Sequence, residues 1–386
     1  MALFIAYSLT FLAFAVLMAA GYMAVIETFP IRFLYYQYFI RKPLIWSIFL
    51  ASITWLLVLI FQEQAFAWLI PSVLLNGLVT ALSYKVHQEY IFKAIDFPKI
   101  TDQLQGLPLT DQQEIALIEY NGVLKGYPLD YVIHHHIVND YFGDKIVSLT
   151  YCAMCRSIIP FDVTDIGPLF VGSFKNANMI VADRKTKTFF QQSTFDSVIG
   201  KLHPHSLTMI PFQILPFAEV KALQPAPLMA AVTQEDLKPF ELFVKGFWSK
   251  LTASEVTPGL FAKSKDQTFP ARTPVIGIYQ TDNIKELVYI KKSVLEQKII
   301  INQEYGFILL ALGSTVNCFN IILDNTPLAL RLEDNNLIDS KSNTTWDIRG
   351  KWKSGSLQTE LEPIAISDEY WFSWKKYHPN TLLVEL

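Results

Sequence analysis

The chain is short of charge and of cysteine. Only 17% of its 386 residues are Asp, Glu, Lys or Arg, and 32 basic against 35 acidic residues leave a formal charge of −3. No basic surplus marks a surface for nucleic acid. With three cysteines, at most one bridge can form, which excludes a disulfide scaffold. There is no glycine-rich phosphate loop, no HExxH and no GxSxG elbow, and no nucleophile and base pair can be assigned from spacing. The sequence therefore assigns no reaction. Apolar residues, by contrast, make up 51% of the chain, too many for a disordered protein. A core, a membrane span or both must bury them.

The apolar excess lies at the N-terminus. Leu3 to Ile26, Leu44 to Phe61 and Phe66 to Tyr84 are three runs free of Lys, Arg, Asp and Glu. Each is long enough to cross a hydrocarbon core of about 30 Å as a helix. No positively charged n-region precedes Leu3, so the first run reads as a span rather than a cleaved leader. Trp46 and Trp68 lie near run ends, where indoles favour the headgroup level. The aromatic string Ile31 to Ile40 reads as an interfacial piece or a hydrophobic elbow between two spans. The first link carries Arg32, Arg41 and Lys42 against Glu27, and the second only Glu63. Lys85, Lys93 and Lys99 follow the third run. This asymmetry places the first link and the C-terminal domain on the cytoplasmic side.

After residue 84, charges, prolines and turn residues return. Self-similarity recurs at about 155 to 160 residues, the signature of a repeated unit. IEYNGVLKGYPLDYV from Ile118 is echoed by IYQTDNIKELVYIKKSV from Ile278. VADRKTKTFFQQ from Val181 is echoed by LIDSKSNTTWDI from Leu337, which pairs Asp183 with Asp339 and Phe190 with Trp346. Gly200 and Gly355 fall at matching places. Short alternating runs separated by turn residues predict strands, and Asn121-Gly122 supplies the positive φ angles of a tight hairpin. Helical turns are expected at Pro128 to His135 and Lys291 to Glu296, and helical potential lies around Phe240 to Leu251. The predicted architecture is a transmembrane region of three helices (1–84) followed by a β-rich α+β soluble domain with an internal duplication. Its parts are a first repeat (85–224), a linker or insertion (225–273) and a second repeat (274–386).

One stretch is a candidate for chemistry. TYCAMCRSIIPFD sets Cys152 and Cys155 three apart, a spacing that lets two sulfurs meet as a disulfide or as ligands of one metal ion. Pro160 follows too soon for the long helix of a thioredoxin-like site, and Cys318 stands alone, so no zinc ribbon forms. His134, His135 and His136 lie just upstream. At most two of the three consecutive rings can face one ion. A set of Cys152, Cys155 and His135 with an open position suits zinc, copper or iron by ligand softness. The plain alternative is a packed pair of small residues and a surface histidine cluster. Arg156 beside the pair would favour a thiolate, and its plain alternative is a salt bridge across the sheet. The matching region of the second copy, Ala311 to Asn320, lacks the pair, which assigns the chemistry to the first copy. His203 and His205 bracket Pro204 with no carboxylate or cysteine near, and Asp183 and Asp339 read as turn residues.

The run YPLDYVIHHHIVNDYFGDKIVSLTYCAMCRSIIPFD, Tyr127 to Asp162, resembles the family known as domain of unknown function 3179. That family's pattern has Tyr-Pro, a His-Glu-Ile-Val-Asn-Asp run, a strand and Tyr-Cys-x-x-Cys before Phe-Asp. The likeness extends through ADRKTKTFFQQ to YWFSWKKYHPNT, Tyr370 to Thr381, and covers most of Glu114 to Thr381. His135, Asn139, Asp140, Cys152 and Cys155 match the pattern. The family's glutamate is replaced by His136, so no carboxylate role carries over there. The resemblance implies a fold and a site but no reaction, in an exported or membrane-anchored setting.

The sequence thus predicts a membrane-anchored protein with a thiol-redox or transition-metal site at Cys152, Cys155 and His135. Arg156 stands beside it, and Asn139 and Asp140 orient the imidazole from behind. The expected partners are the lipid bilayer and another membrane protein. The rival reading is a non-catalytic binding or assembly subunit of a membrane complex.

Overall fold

The computed structural model describes residues 2–62, 66–241, 246–253, 266, 268–279 and 286–386. Glu63 and much of the echo from Ile278, residues 280–285, lie outside the described residues. Apolar helices at the N-terminus, two long and one shorter, are followed by a β-rich domain of several sheets.

Helix α1 (Ala2–Val25) and helix α2 (Ile31–Phe61) are long and apolar enough to cross a membrane. The third run forms a 3-10 turn, Ala67–Leu69, and helix α3 (Ile70–Leu82), shorter than the predicted span. Pro71 sits in the first turn of α3, where its missing N–H costs nothing. Ile31 to Ile40 is no elbow. It is the opening of α2, which starts after Pro30 and runs on through Pro43, because nothing in IRFLYYQYFI breaks a helix. Arg32, Arg41 and Lys42 consequently belong to a helix rather than to a link, and Arg41 is buried, its Nη1 donating to the Tyr38 carbonyl at 2.7 Å.

The chain divides into two compact units, cut differently from the boundaries read in the sequence. One gathers the described residues up to Ala94 together with Leu169–Ser206. Its helices meet through Ala13, Leu17, Ile45, Ile48 and Val79. Its antiparallel sheet comprises Leu169–Lys175, Asn178–Asp183, Phe189–Gln191 and Ser197–Ile199. The sheet rests on α2 through aromatic rings, Tyr35 edge-on to Phe189 and Tyr38 tilted against Phe170 with centroids 5.9 Å apart. Lys175, buried, donates to the carbonyls of Met23 at 3.0 Å and Ile26 at 2.5 Å. A cation there satisfies orphan acceptors at the C-terminal end of α1 and complements its dipole.

The other unit holds Ile95–Pro168 and the described residues from Leu207 onward. A five-stranded sheet orders Ile95–Asp96, Ile137–Phe142, Lys145–Cys152, Ser157–Asp162 and Thr208–Met209. A second five-stranded sheet contains the hairpin Glu114–Tyr120 and Val123–Pro128, closed at Asn121 (φ 50°) and Gly122 (φ 72°) as the Asn-Gly pair predicts. Later in the chain come the sheet Ile366–Tyr370, Pro274–Ile278, Leu287–Ile290 and Leu382–Leu383, a three-stranded sheet across Ile299–Asn302, Phe307–Leu312 and Thr315–Asn320, and a four-stranded one from Leu330–Glu333 to Trp352–Ser354. Helices Leu129–His135 and Lys291–Gln297 occupy the predicted places. The helical potential around Phe240 to Leu251 is realised in part as Phe247–Ala253, and residues 242–245 lie outside the described ones. Asp183 and Asp339 shape turns as read. Asp183 accepts from the N–H groups of Lys185 and Thr188, and Asp339 from those of Ala329 and Ser342.

Candidate functional site

Strands Lys145–Cys152 and Ser157–Asp162 pair in register through Cys152 opposite Ser157, so Ala153 to Arg156 form a four-residue turn. The turn carries Cys155 inward and sets Arg156 at φ 59°, a left-handed conformation uncommon for a side chain of this size. Both sulfurs are fully buried and both cysteines are free thiols. The Cys155 thiol lies 3.2 Å from Ser157 Oγ and 3.9 Å from the Cys152 carbonyl, and it hydrogen-bonds the Cys152 side chain. Burial drives the Cys155 thiol well above the ordinary cysteine range, and the neighbouring Cys152 adds to the rise. The expectation that Arg156 favours a thiolate is thus corrected. Desolvation outweighs any help from the guanidinium, which instead lines a cleft of about 200 Å³ with Tyr151, Lys291 and Asp368.

Strand Ile366–Tyr370 packs on Ser157–Asp162, and the Tyr370 N–H donates to the Cys155 carbonyl at 2.9 Å. This contact brings Glu369, fully buried, to the cysteine turn. Burial raises its carboxyl to about 8, and the charge of Cys155 pushes the same way. Hydrogen bonds from Ser373 and Ser367 act in opposition, the latter from Ser367 Oγ to Glu369 Oε1 at 2.8 Å. Ser367 also bonds the hydroxyl of Tyr279, whose ionisation is pushed far up by burial and by Glu369. Tyr279 Oη lies 3.3 Å from His378 Nε2, and His378 Nδ1 lies 2.7 Å from Glu286 Oε1. The imidazole stacks on the buried Trp374 ring, with centroids 4.1 Å apart.

The histidines of the upstream cluster go elsewhere. Helix Leu129–His135 ends under them and they diverge. His134 Nδ1 lies 2.7 Å from the Lys238 carbonyl, and His135 Nε2 lies 3.5 Å from Asp236 Oδ1 beside the Tyr131 ring. His136, at φ 64°, is buried against Phe240 and Trp248. Burial lowers its imidazole to about 3 and keeps it neutral. Burial works to raise Asp236, yet Thr233 and His135 hold it below the usual carboxylate range. Among the described residues, no group of three or more His, Cys, Asp or Glu is placed to hold a metal ion. The set His135, Cys152 and Cys155 is not assembled as a three-ligand group.

Asn139 and Asp140 also serve other ends. Asn139 Nδ2 donates to Asp96 Oδ1 at 2.7 Å and its Oδ1 accepts from Ser148 Oγ. Asp140 Oδ2 accepts from Lys125 Nζ at 2.8 Å and Tyr127 Oη at 2.7 Å. They tie strands together in a buried polar network.

Of the residues at the site, spacing announced Cys152 and Cys155, while Glu369, Ser367, Tyr279 and His378 were passed over. One signal was present. In Ile366–Tyr370 the residues Ser367 and Glu369 share one strand face, which makes a carboxylate and a hydroxyl inward-facing in a run that ends on aromatics.

A family model described as "Protein of unknown function (DUF3179)" matches residues 92–381. No curated protein and no solved structure matches.

Proposed function

The chain belongs to the DUF3179 family, and from that premise we propose a membrane-anchored dithiol protein in which Cys152 and Cys155 exchange with a low-molecular-weight disulfide. One observation carries the reading. An ionisable carboxyl, Glu369, is fully buried near enough to Cys155 for the thiol to push its pKa up further, an arrangement that costs stability. With its carboxyl titrating near 8, Glu369 can exchange a proton with a thiol in the physiological range.

In the exchange, one cysteine gives its proton to ionised Glu369 and attacks the external disulfide. That S–S bond breaks, and the external thiolate that leaves takes the proton from Glu369. The ionised carboxylate then takes the proton of the second cysteine, which attacks the mixed disulfide, and passes it to the second departing external thiolate. Two protein thiols are oxidised to one disulfide and one external disulfide is reduced to two thiols, with protons conserved.

Likenesses between the halves support two copies with chemistry in the first. Helix Leu129–His135 ends on His136 at φ 64°, and helix Lys291–Gln297 on Lys298 at φ 65°. A Cβ on Gly200 or Gly355 would meet the backbone of Thr188 or Thr344 respectively. In the later hairpin, Leu312 pairs with Thr315 around two residues, whereas Cys152 pairs with Ser157 around four. The longer turn is where Cys155 sits. For anchoring, the reading takes α1 and α2 as spans in the lipid bilayer. Lys175 lies at the α1 end nearest the first link, which supports one side for that link and the adjoining sheet. The lysine and arginine distribution favours the cytoplasmic side.

The competing reading, an anchored binding or assembly subunit docked to another membrane protein, draws on the complete burial of both sulfurs. Exposure of the folded full chain to oxidised glutathione, followed by alkylation in denaturant, separates the two. Exchange predicts that Cys152 and Cys155 disappear together as an internal disulfide while Cys318 stays free, and that Glu369→Gln slows this by about a hundredfold. Three thiols that stay alkylatable after exposure would end the redox reading.

A further inference from the structure

We infer that Glu369, Ser367, Tyr279, His378 and Glu286 form a proton path leading from the buried cysteine turn to the protein surface. The inference rests on the thiol reading for its purpose but on geometry for its existence. Consecutive partners are in hydrogen-bond contact. Ser367 Oγ and Glu369 Oε1 lie 2.8 Å apart, Ser367 bonds Tyr279, Tyr279 Oη and His378 Nε2 lie 3.3 Å apart, and His378 Nδ1 and Glu286 Oε1 lie 2.7 Å apart. Glu369 and Ser367 are fully buried, Tyr279 is half-buried, His378 is buried, and the Glu286 side chain at the far end is 29% exposed.

The donor and acceptor inventory gives the chain a consistent direction. A hydroxyl has one proton to give. When Glu369 is protonated its O–H donates to Ser367, Ser367 donates to Tyr279, and Tyr279 donates to His378 Nε2. His378 is then the tautomer whose Nδ1–H donates to the Glu286 carboxylate, the oriented carboxylate–imidazole pair that makes histidine a proton shuttle. When Glu369 is ionised, Ser367 turns its hydroxyl toward it. Proton hops move one proton by one place along each bond, and rotation of the Ser367 and Tyr279 hydroxyls together with a change of His378 tautomer restores the starting arrangement. The hops themselves leave the imidazole stacked on Trp374.

Tyr279 and His378 both pack on Trp374, a purpose that apolar rings would serve as well. A phenol, an imidazole and a carboxyl in contact inside a sheet interface cost more to bury than apolar residues of the same volume. Glu369 is the proton acceptor and donor of the exchange, and this series lets the buried carboxyl equilibrate its proton with solvent.

The test is deuterium exchange of the Glu369 carboxyl in the folded full chain. Its infrared band is followed at about pH 6, where the acid holds its proton, and assigned by its loss in Glu369→Gln. A path predicts exchange well ahead of the slow amides of the strand Pro274–Ile278. It also predicts that Tyr279→Phe and His378→Gln each slow exchange by about a hundredfold, toward the rate set by local opening. The direction separates relay from scaffold, because a variant that merely loosened the core would speed exchange. If Tyr279→Phe does not fold, Ser367→Ala breaks the same link. Wild-type exchange no faster than those amides, or variants exchanging at or above the wild-type rate, would overturn the path. The glutathione experiment is independent. Thiols that never oxidise, together with fast and variant-sensitive exchange, would remove the redox reading and leave the proton path standing.

Discussion

Glu369→Gln is expected to make the folded chain more stable than wild type at alkaline pH and no more stable at acid pH. The native carboxyl keeps its proton up to about 8, while in the unfolded chain it loses it above its ordinary value near 4.5. Between these values the native state binds more protons, so stability falls as pH rises. The contribution is complete below about 4.5, declines through the window up to about 8, and changes no further above it. The full shift corresponds to about 5 kcal/mol. Cys155 and Tyr279 interact electrostatically with the same carboxyl. Glutamine keeps the shape and the hydrogen bond from Ser367 without the charge. His136 acts with the opposite sign. It is neutral in the native state down to about 3 and protonated in the unfolded chain below about 6.5, so it destabilises as pH falls through that interval. The variant should keep this acid limb and lose the alkaline one. Unfolding midpoints of both chains across the pH range read this directly, and parallel curves would show that Glu369 is ionised when buried.

Gly277→Ala should be the most damaging single methyl in the domain. A Cβ at this position would overlap three atoms of the Trp374 ring, which is fully buried, stacked on His378 and hydrogen-bonded through Nε1 to Thr381 Oγ1 at 2.9 Å. Neither ring nor strand can yield, because Pro274–Ile278 pairs on both sides, with Leu287–Ile290 and Ile366–Tyr370. Overpacking of this kind costs about 3 kcal/mol. The displaced indole would also carry His378 away from Tyr279. A midpoint unchanged by the methyl would mean that the Trp374 position is not as described.

The legible parts of this chain were those decided by near neighbours. Asn121-Gly122 specifies its hairpin through two positive φ angles, Asp183 and Asp339 specify their turns through hydrogen bonds a few residues away, and the apolar runs announce helices by length. Errors arose where an element's extent depends on what does not break it. Ile31 to Ile40 continues into α2 because its aromatics are tolerated in a helix, and the third run splits because Ala67–Leu69 tightens into a separate turn. The site was half visible. Cys152 and Cys155 declare themselves by spacing, but their carboxyl comes from the strand Ile366–Tyr370, far along the chain, and no local rule connects the two. His135 seemed the natural third member because it is close in sequence. The last turn of helix Leu129–His135 instead aims it at Asp236.

The account depends most on Cys152 and Cys155 passing between dithiol and disulfide as a pair. The direct measurement is an equilibrium titration of the folded full chain against thiol–disulfide buffers, with free thiols counted residue by residue. The account predicts one two-electron transition between about −300 and −180 mV, in which both residues are lost together and Cys318 remains. Both thiols still free at the most oxidising end of that range would contradict it.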